Sequence, residues 1–252
     1  MKTAIITGAS AGLGREFVLG ARDNFKDIES FWVIARREEK LREYIDLLPG
    51  KDVKILAMDL CNEANFDIIA DILKANEPDV RLLVNNAGCG YLGNVGEGDW
   101  KKQTRMIDLN LRALTAITHL VIPYMSSGSK IINVSSIASF CPNPRMTVYS
   151  STKAFVSSFN RGIADELKSK GISATAVCPG PMNTEFIYKG KIKGNSKTFE
   201  ILPYCEPKKV VAGAYRAAKL GRTVYTPTAF YKFYRVLAKV LPQSVMINFT
   251  RT

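Results

Sequence analysis

Tyr149 and Lys153 stand four residues apart. On a helix that spacing puts both side chains on one face, one turn from each other. A free phenol has a pKa of about 10 and is a poor base at neutral pH. An adjacent ammonium favours the phenolate and pulls that pKa down. Bringing it near 7 takes roughly 3 units, or about 4 kcal/mol. Read alone, the pair also fits an ordinary helix surface. A second feature is Thr7-Gly8-Ala9-Ser10-Ala11-Gly12-Leu13-Gly14, followed by the helix-like Arg15-Glu16-Phe17-Val18. Glycines permit a tight turn and let a backbone approach a pyrophosphate closely. The helix start then offers unpaired N–H groups and the positive end of its dipole. Glycine clusters also make plain turns, but placement between a first strand and a first helix points to dinucleotide binding.

Strands and helices must position these groups. Seven short apolar runs fit strands: Thr3–Thr7, Phe31–Ala35, Val53–Ala57, Arg81–Asn85, Lys130–Ser135, Ile172–Cys178 and Thr223–Thr226. Most are separated by longer stretches with helical spacing, such as Leu109, Ala113, Ala116, Ile117, Leu120 and Val121. Strand–helix–strand alternation with near-continuous apolar strands predicts a parallel sheet covered by helices on both faces. The expected architecture is one α/β domain over residues 1–252, a doubly wound, Rossmann-like sheet of about seven strands. Residues 183 to about 207 are rich in Lys and Gly with scattered aromatics. A long irregular segment of this kind in a compact domain is either a functional lid or disordered, and a substrate lid is the expectation here.

The glycine spacing, Gly-x-x-x-Gly-x-Gly, resembles that of the short-chain dehydrogenase/reductase family. The resemblance extends to about Pro227. Asn85-Asn86-Ala87-Gly88 is similar to the family's motif after strand four, and Asn110 to its helix-borne active-site Asn. Ser136, Tyr149 and Lys153 match its Ser and Tyr-x-x-x-Lys spacing, and Pro179-Gly180 with Thr184 matches the segment after strand six. The resemblance implies that the Ser136 hydroxyl bonds the substrate oxygen, with Ser135 as the competing candidate. It implies that Asn110 holds a water joining Lys153 to solvent. It makes Asp59, with Leu60, a contact of the adenine, although Asp59 also suits a helix N-cap. Thr7, Gly8, Ser10, Gly12, Leu13, Gly14, Asn86, Ala87 and Gly88 join the expected cofactor set.

An Asp or Glu at the end of strand two binds the adenosine ribose and marks NAD. Here that position is Ala35, and Arg36 and Arg37 follow. Guanidinium groups suit a 2′-phosphate, so the expected cofactor is NADP(H). Arg36 and Arg37 would also serve to begin a charged helix. The expected substrate walls are Tyr91, Phe140, Met146, Met182 and Phe186, with Cys89, Leu92, Ile187 and Tyr188 nearby. Mostly apolar walls suit a lipophilic ketone, steroid-like or acyl-chain.

The five cysteines include no Cys-x-x-Cys pair, which fits reduced thiols in the cytoplasm and no metal. With His119 as the single histidine, a multi-histidine metal site is excluded. No apolar run approaches the roughly 18 residues that span a bilayer, and the first strand begins too near the N-terminus for a signal peptide. Residues 1–126 hold 16 Lys and Arg against 18 Asp and Glu, and residues 127–252 hold 19 against 5. That asymmetry suits an anionic partner or a solvated basic surface. In the C-terminal segment, about 228–252, Phe230, Phe233, Tyr234, Leu237 and Leu241 form one stripe, and Lys232, Arg235 and Lys239 another. Such a segment can meet a membrane surface, cap the pocket or pack on a second subunit of a homo-oligomer. The expected activity is NADP(H)-dependent interconversion of a ketone and a secondary alcohol, with no nucleic-acid role. The alternatives are a 3-oxoacyl-[acyl-carrier-protein] reductase and a non-catalytic NADPH-binding regulator.

Overall fold

The computed structural model describes residues 1–190, 192 and 194–251. All seven expected strands form, each within two residues of its sequence reading. They are β1 (Lys2–Thr7), β2 (Ser30–Ala35), β3 (Asp52–Ala57), β4 (Asp79–Asn85), β5 (Lys130–Val134), β6 (Ser173–Val177) and the short β7 (Val224–Tyr225). They make one sheet in the order β3-β2-β1-β4-β5-β6-β7, with every neighbour parallel. Strand order reverses direction between β1 and β4. In doubly wound sheets ligands bind outside the carboxyl ends of the strands at that switch point.

Helices cover both faces because the strands are apolar on both. On one side, α1 (Gly12–Asn24), α2 (Glu38–Leu47) and α9 (Pro207–Lys219) bury Phe17, Tyr44 and Tyr215 against β1 and β2. Tyr215 lies edge-on to Phe17 and Phe25, and its hydroxyl donates to the Phe17 carbonyl at 2.5 Å. On the other side, α3 (Ala64–Asn76), α5 (Ala113–Val121) and α6 (Thr147–Glu166) bury Leu73, Ile117 and Ile163. A single π-helical turn, Asp108–Arg112, joins α4 (Trp100–Ile107) to α5.

The expected lid is not wholly irregular. It carries two short helices, α7 (Glu185–Lys189) and α8 (Lys197–Ile201). The C-terminal segment is likewise two helices, α10 (Ala229–Val240) and α11 (Gln243–Thr250), with Pro242 between them. The expected apolar stripe on α10 is split. Phe230, Tyr234, Leu237 and Leu241 line the cleft, Phe230 while still half exposed, whereas Phe233 turns to the outer surface. The anchor of α10 is Tyr231, fully buried in the main core and outside the stripe read from sequence.

Two glycines fix the first turn. Gly8 has φ +66°, a conformation that costs a side chain dearly. Gly14 faces the Gly8 carbonyl, and a Cβ there would run into that oxygen and lie 2.6 Å from Asn86 Nδ2. Gly14→Ala should therefore overpack the turn, at a cost of about 1–3 kcal/mol. For a chain of this size that lowers Tm by roughly 2–12 °C. A thermal melt of the variant indistinguishable from wild type would contradict this packing.

Candidate active site

The carboxyl ends of β1, β4, β5 and β6 open on one crevice of about 840 Å³. Two turns are tied together at its floor. Thr7 Oγ1 accepts from the backbone N–H groups of Asn86 and Ala87, both at 3.0 Å. Asn86 Nδ2 donates to the carbonyls of Thr7 at 3.1 Å and Gly8 at 3.2 Å. Thr7 is thus buried and holds the turns without lining the crevice, contrary to its expected place among cofactor contacts.

Tyr149 and Lys153 lie on α6, one turn apart and both buried, as the four-residue spacing predicts. Lys153 Nζ donates to the Val134 carbonyl at 2.8 Å and lies 5.8 Å from the Tyr149 ring centroid. Burial pushes the Tyr149 phenol up to about 12, against a hydrogen bond with Ser136 that lowers it. Burial also brings Lys153 down to about 8. The expectation of a depressed phenol therefore fails for the chain alone. Desolvation of the phenolate outweighs the Ser136 hydrogen bond.

Between the two serines the geometry distinguishes clearly. Ser135 Oγ donates to the Lys153 carbonyl at 2.8 Å and meets Ser157 Oγ, so it docks α6 on β5. Ser136 follows β5 into the crevice and bonds Tyr149. Asn110 is only 1% exposed and does not line the crevice. From the π turn, its Oδ1 accepts from Cys89 N–H and its Nδ2 donates to the Cys89 carbonyl, both at 2.9 Å. A Cβ on Gly88 would sit 3.1 Å from Asn110 Oδ1 and 3.5 Å from Lys153 Nζ. A side chain there would crowd both groups.

At the other end of the crevice Gly8, Ser10, Gly12, Leu13 and Gly14 present the first turn and the start of α1. Arg36, Arg37, Asp59 and Leu60 line the same end, and Arg36 is exposed there. Bare glycine backbone, a helix start and a free-standing guanidinium fit a phosphorylated dinucleotide. Ala87, Gly88, Pro179, Gly180 and Thr184 complete the wall. Asp59 is not an N-cap, since Glu63 precedes α3. Burial would raise its carboxyl, but Arg105 at 2.7 Å and the Cys61 N–H outweigh that and hold it below the usual range.

Tyr91, Met146, Met182 and Phe186 line the crevice near Tyr149, as expected. Phe140 does not. It stands behind Tyr234, ring centroids 6.1 Å apart, because the turn after Ser136 directs it away. Sequence reading missed Arg105, Phe199, Leu202 and Met246, which also line the crevice. The apolar residues of the Lys-rich lid were a usable signal for Phe199 and Leu202. Arg105 had none, since its partner lies 46 residues away.

The buried ammonium has a thermodynamic signature. A lysine pKa lowered on folding means that the unfolded chain binds more protons between about 8 and 10.5. Stability from this group is therefore lowest below pH 8 and rises as pH passes from 8 to 10.5. Lys153→Met should melt above wild type at pH 7, and the gap should close by about pH 10. A gap that stays constant across that range would place the ammonium in a solvated setting.

A family model described as short chain dehydrogenase matches residues 2–191. A sulfoacetaldehyde reductase from Chromohalobacter salexigens is 34% identical over 191 residues, 72% of this chain and 73% of that one. A very-long-chain 3-oxoacyl-CoA reductase from Danio rerio is 34% identical over 195 residues, 73% of this chain. The matched region spans 60% of that relative's length. A short-chain dehydrogenase from Sphingobium yanoikuyae, solved in complex with NADPH, aligns with a TM-score of 0.78 at 25% identity, over 97% of this chain and 98% of that one. The family match takes in well over half of the residues, including both the glycine turn and the Tyr149–Lys153 helix, and the chain belongs to the short-chain dehydrogenase family.

Proposed function

We propose that this chain is an NADP(H)-dependent oxidoreductase that interconverts a lipophilic ketone and its secondary alcohol. The observation that carries the reading is the Ser136–Tyr149–Lys153 cluster, which lies where the glycine-lined and apolar ends of one crevice meet. The bound cofactor supplies the reducing equivalent. Ser136 Oγ and Tyr149 Oη hold the carbonyl oxygen and stabilise the charge that develops on it. Tyr149 Oη then gives up its proton. Burial, which pushes this phenol up to about 12 in the chain alone, leaves the proton on Tyr149 at neutral pH. Lys153 Nζ lies 5.8 Å from the centre of the Tyr149 ring, where an ammonium favours the phenolate that remains, and Asn110 is packed beside Gly88 on the same side of Lys153. Arg36 and Arg37 receive the 2′-phosphate. The NADPH bound by the Sphingobium yanoikuyae relative supports that choice.

The walls favour a steroid-like or acyl-chain substrate, with residues 183–207 as its lid and the whole chain acting as one domain. A second reading, a 3-oxoacyl thioester, is favoured by the Danio rerio relative and by the basic C-terminal half, which suits an acidic carrier or coenzyme A. Among the described residues no helix is long and apolar enough to cross a membrane. Membrane contact would instead use the exposed face of the C-terminal helices. Phe233, Val240 and Phe249 are 67–74% exposed, and Lys232 and Lys239 stand beside the first two on α10. Apolar side chains flanked by cations suit an anionic bilayer. For a homo-oligomer the surface is the apolar groove by His119, with Ile107 and Phe155 exposed.

A panel of small ketones, steroid ketones and 3-oxoacyl thioesters, assayed with NADPH and NADH, tests the reading. Turnover with none of them would sink it. Tyr149→Phe should bind NADPH normally and lose about 10²–10⁴-fold in kcat. Retention of a tenth of the wild-type rate would assign the proton to another group. Cutting the chain at Phe230 would remove Tyr231 from the core, so the informative truncation keeps residues 1–242 and drops α11. It should raise KM for a steroid ketone about tenfold, the effect of losing one buried apolar side chain, and leave KM for a small ketone unchanged. Sedimentation with anionic vesicles, lost in Phe233→Ser, checks the membrane face, and light scattering checks the oligomer.

A further inference from the structure

Arg37 bridges two parts of the crevice that are far apart in sequence. One guanidinium nitrogen, Nη2, donates to Ser10 Oγ at 3.2 Å, in the glycine turn. The other, Nη1, donates to Glu185 Oε1 at 3.0 Å, 148 residues away. Glu185 is the first residue of α7, so this ion pair ties the lid to the end of β2. The lid base is close against the turn as well, since a Cβ on Gly12 would lie 3.3 Å from Thr184. Glu185 is not a wandering side chain. Its second oxygen accepts from Lys189 Nζ at 2.5 Å, one turn along α7. All of Ser10, Arg36, Arg37 and Glu185 line the cofactor end of the crevice. A fixed carboxylate therefore stands on the guanidinium that a 2′-phosphate would use.

We propose that Glu185 is a lid-borne competitor for the cofactor's 2′-phosphate: it holds Arg37 in the cofactor-free chain and yields it when NADP(H) binds. This rests on the reading that Arg37 meets that phosphate. Two consequences follow from charge alone. NADP(H) binds less tightly than Arg36 and Arg37 would otherwise allow, because the phosphate must displace one anion and settle near it. The lid is released by a phosphate and not by a ribose hydroxyl, so NADPH frees α7 while NADH leaves it latched. Glu185 thus sets cofactor affinity and couples the choice of cofactor to the lid over the substrate. It acts through Arg37 and is a positioning residue, with no part in the chemical step.

Titration of wild type, Glu185→Gln, Arg37→Ala and the double variant with NADPH and with NADH, followed by cofactor fluorescence, tests this. Glu185→Gln should tighten NADPH about 2- to 5-fold at low salt, the range for a half-exposed charge pair, and change NADH less than about 1.5-fold. The gain should shrink in about 0.5 M salt, where such pairs are screened. It should vanish in the Arg37→Ala background. Amide exchange over residues 185–190 should be faster with NADPH than with NADH in wild type, and fast with either in Glu185→Gln. If Arg37→Ala weakens NADPH but Glu185→Gln leaves it unchanged or weaker, the competition is refuted while the phosphate reading stands. If Arg37→Ala leaves NADPH binding intact, the phosphate reading of Arg37 falls and the competition falls with it. Equal exchange with both cofactors in wild type would refute the coupling to the lid.

Discussion

One threonine hydroxyl holds the crevice in register. Thr7 Oγ1 accepts two backbone N–H groups from the turn after β4 and donates to the Val84 carbonyl at 3.4 Å. A hydroxyl has one donor and two acceptor sites, so none of its capacity is left for a ligand. The Asn86 carboxamide repeats the tie from the other side. These bonds fix the spacing of the two turns on either side of the switch point. Everything that lines the crevice is referenced to them. The glycine turn meets α1 on one side, and Ala87, Gly88 and Cys89 reach the Tyr149 helix on the other.

The second constraint is dryness. Tyr149 and Lys153 sit at the bottom of the crevice, where burial works against both charged forms. Their pairing is therefore not a surface ion pair transplanted inward. Lys153 donates to the Val134 carbonyl, and Tyr149 is hydrogen-bonded with Ser136. Ser135 Oγ donates to the Lys153 carbonyl and meets Ser157 Oγ where α6 crosses β5, which helps hold this costly arrangement. Close packing around the tyrosine does the rest. A Cβ at Gly90 would already touch both its ring and Phe186.

Much of this was legible in sequence because it is written locally. Strand alternation, the glycine turn and the four-residue spacing of Tyr149 and Lys153 each depend on residues a few positions apart. Phe140 read as a wall because it follows Ser136, yet a 3₁₀ turn at Ile137–Ser139 sends it behind Tyr234. Thr7 read as a ligand because it opens the glycine motif, and only the partner turn reveals that its hydroxyl is spent. Tyr231 lay outside an otherwise convincing stripe, since helical periodicity cannot say which of two apolar faces meets the core. The pairs Arg105–Asp59 and Arg37–Glu185 join residues 46 and 148 apart. No period or motif encodes such contacts. They exist only once the sheet has brought its carboxyl ends together.

Tyr231 also explains why the two ends of the crevice cannot vary independently. Its ring fills the space that a side chain on Gly180 would need, so it lies directly against the segment after β6. Its hydroxyl donates to the Pro203 carbonyl at 2.6 Å, at the far end of the lid. Its backbone N–H is capped by Thr228 Oγ1, which starts α10. One buried tyrosine therefore joins the segment after β6, the stretch that follows α8 and the first C-terminal helix. A side chain at position 180 would displace the ring, and with it the helix that carries Tyr234 and Leu237 into the crevice. Gly180 is thus required less for backbone freedom than for the ring it admits. The apolar wall of the crevice is positioned from below by that ring, whatever lies on the exposed face of α10.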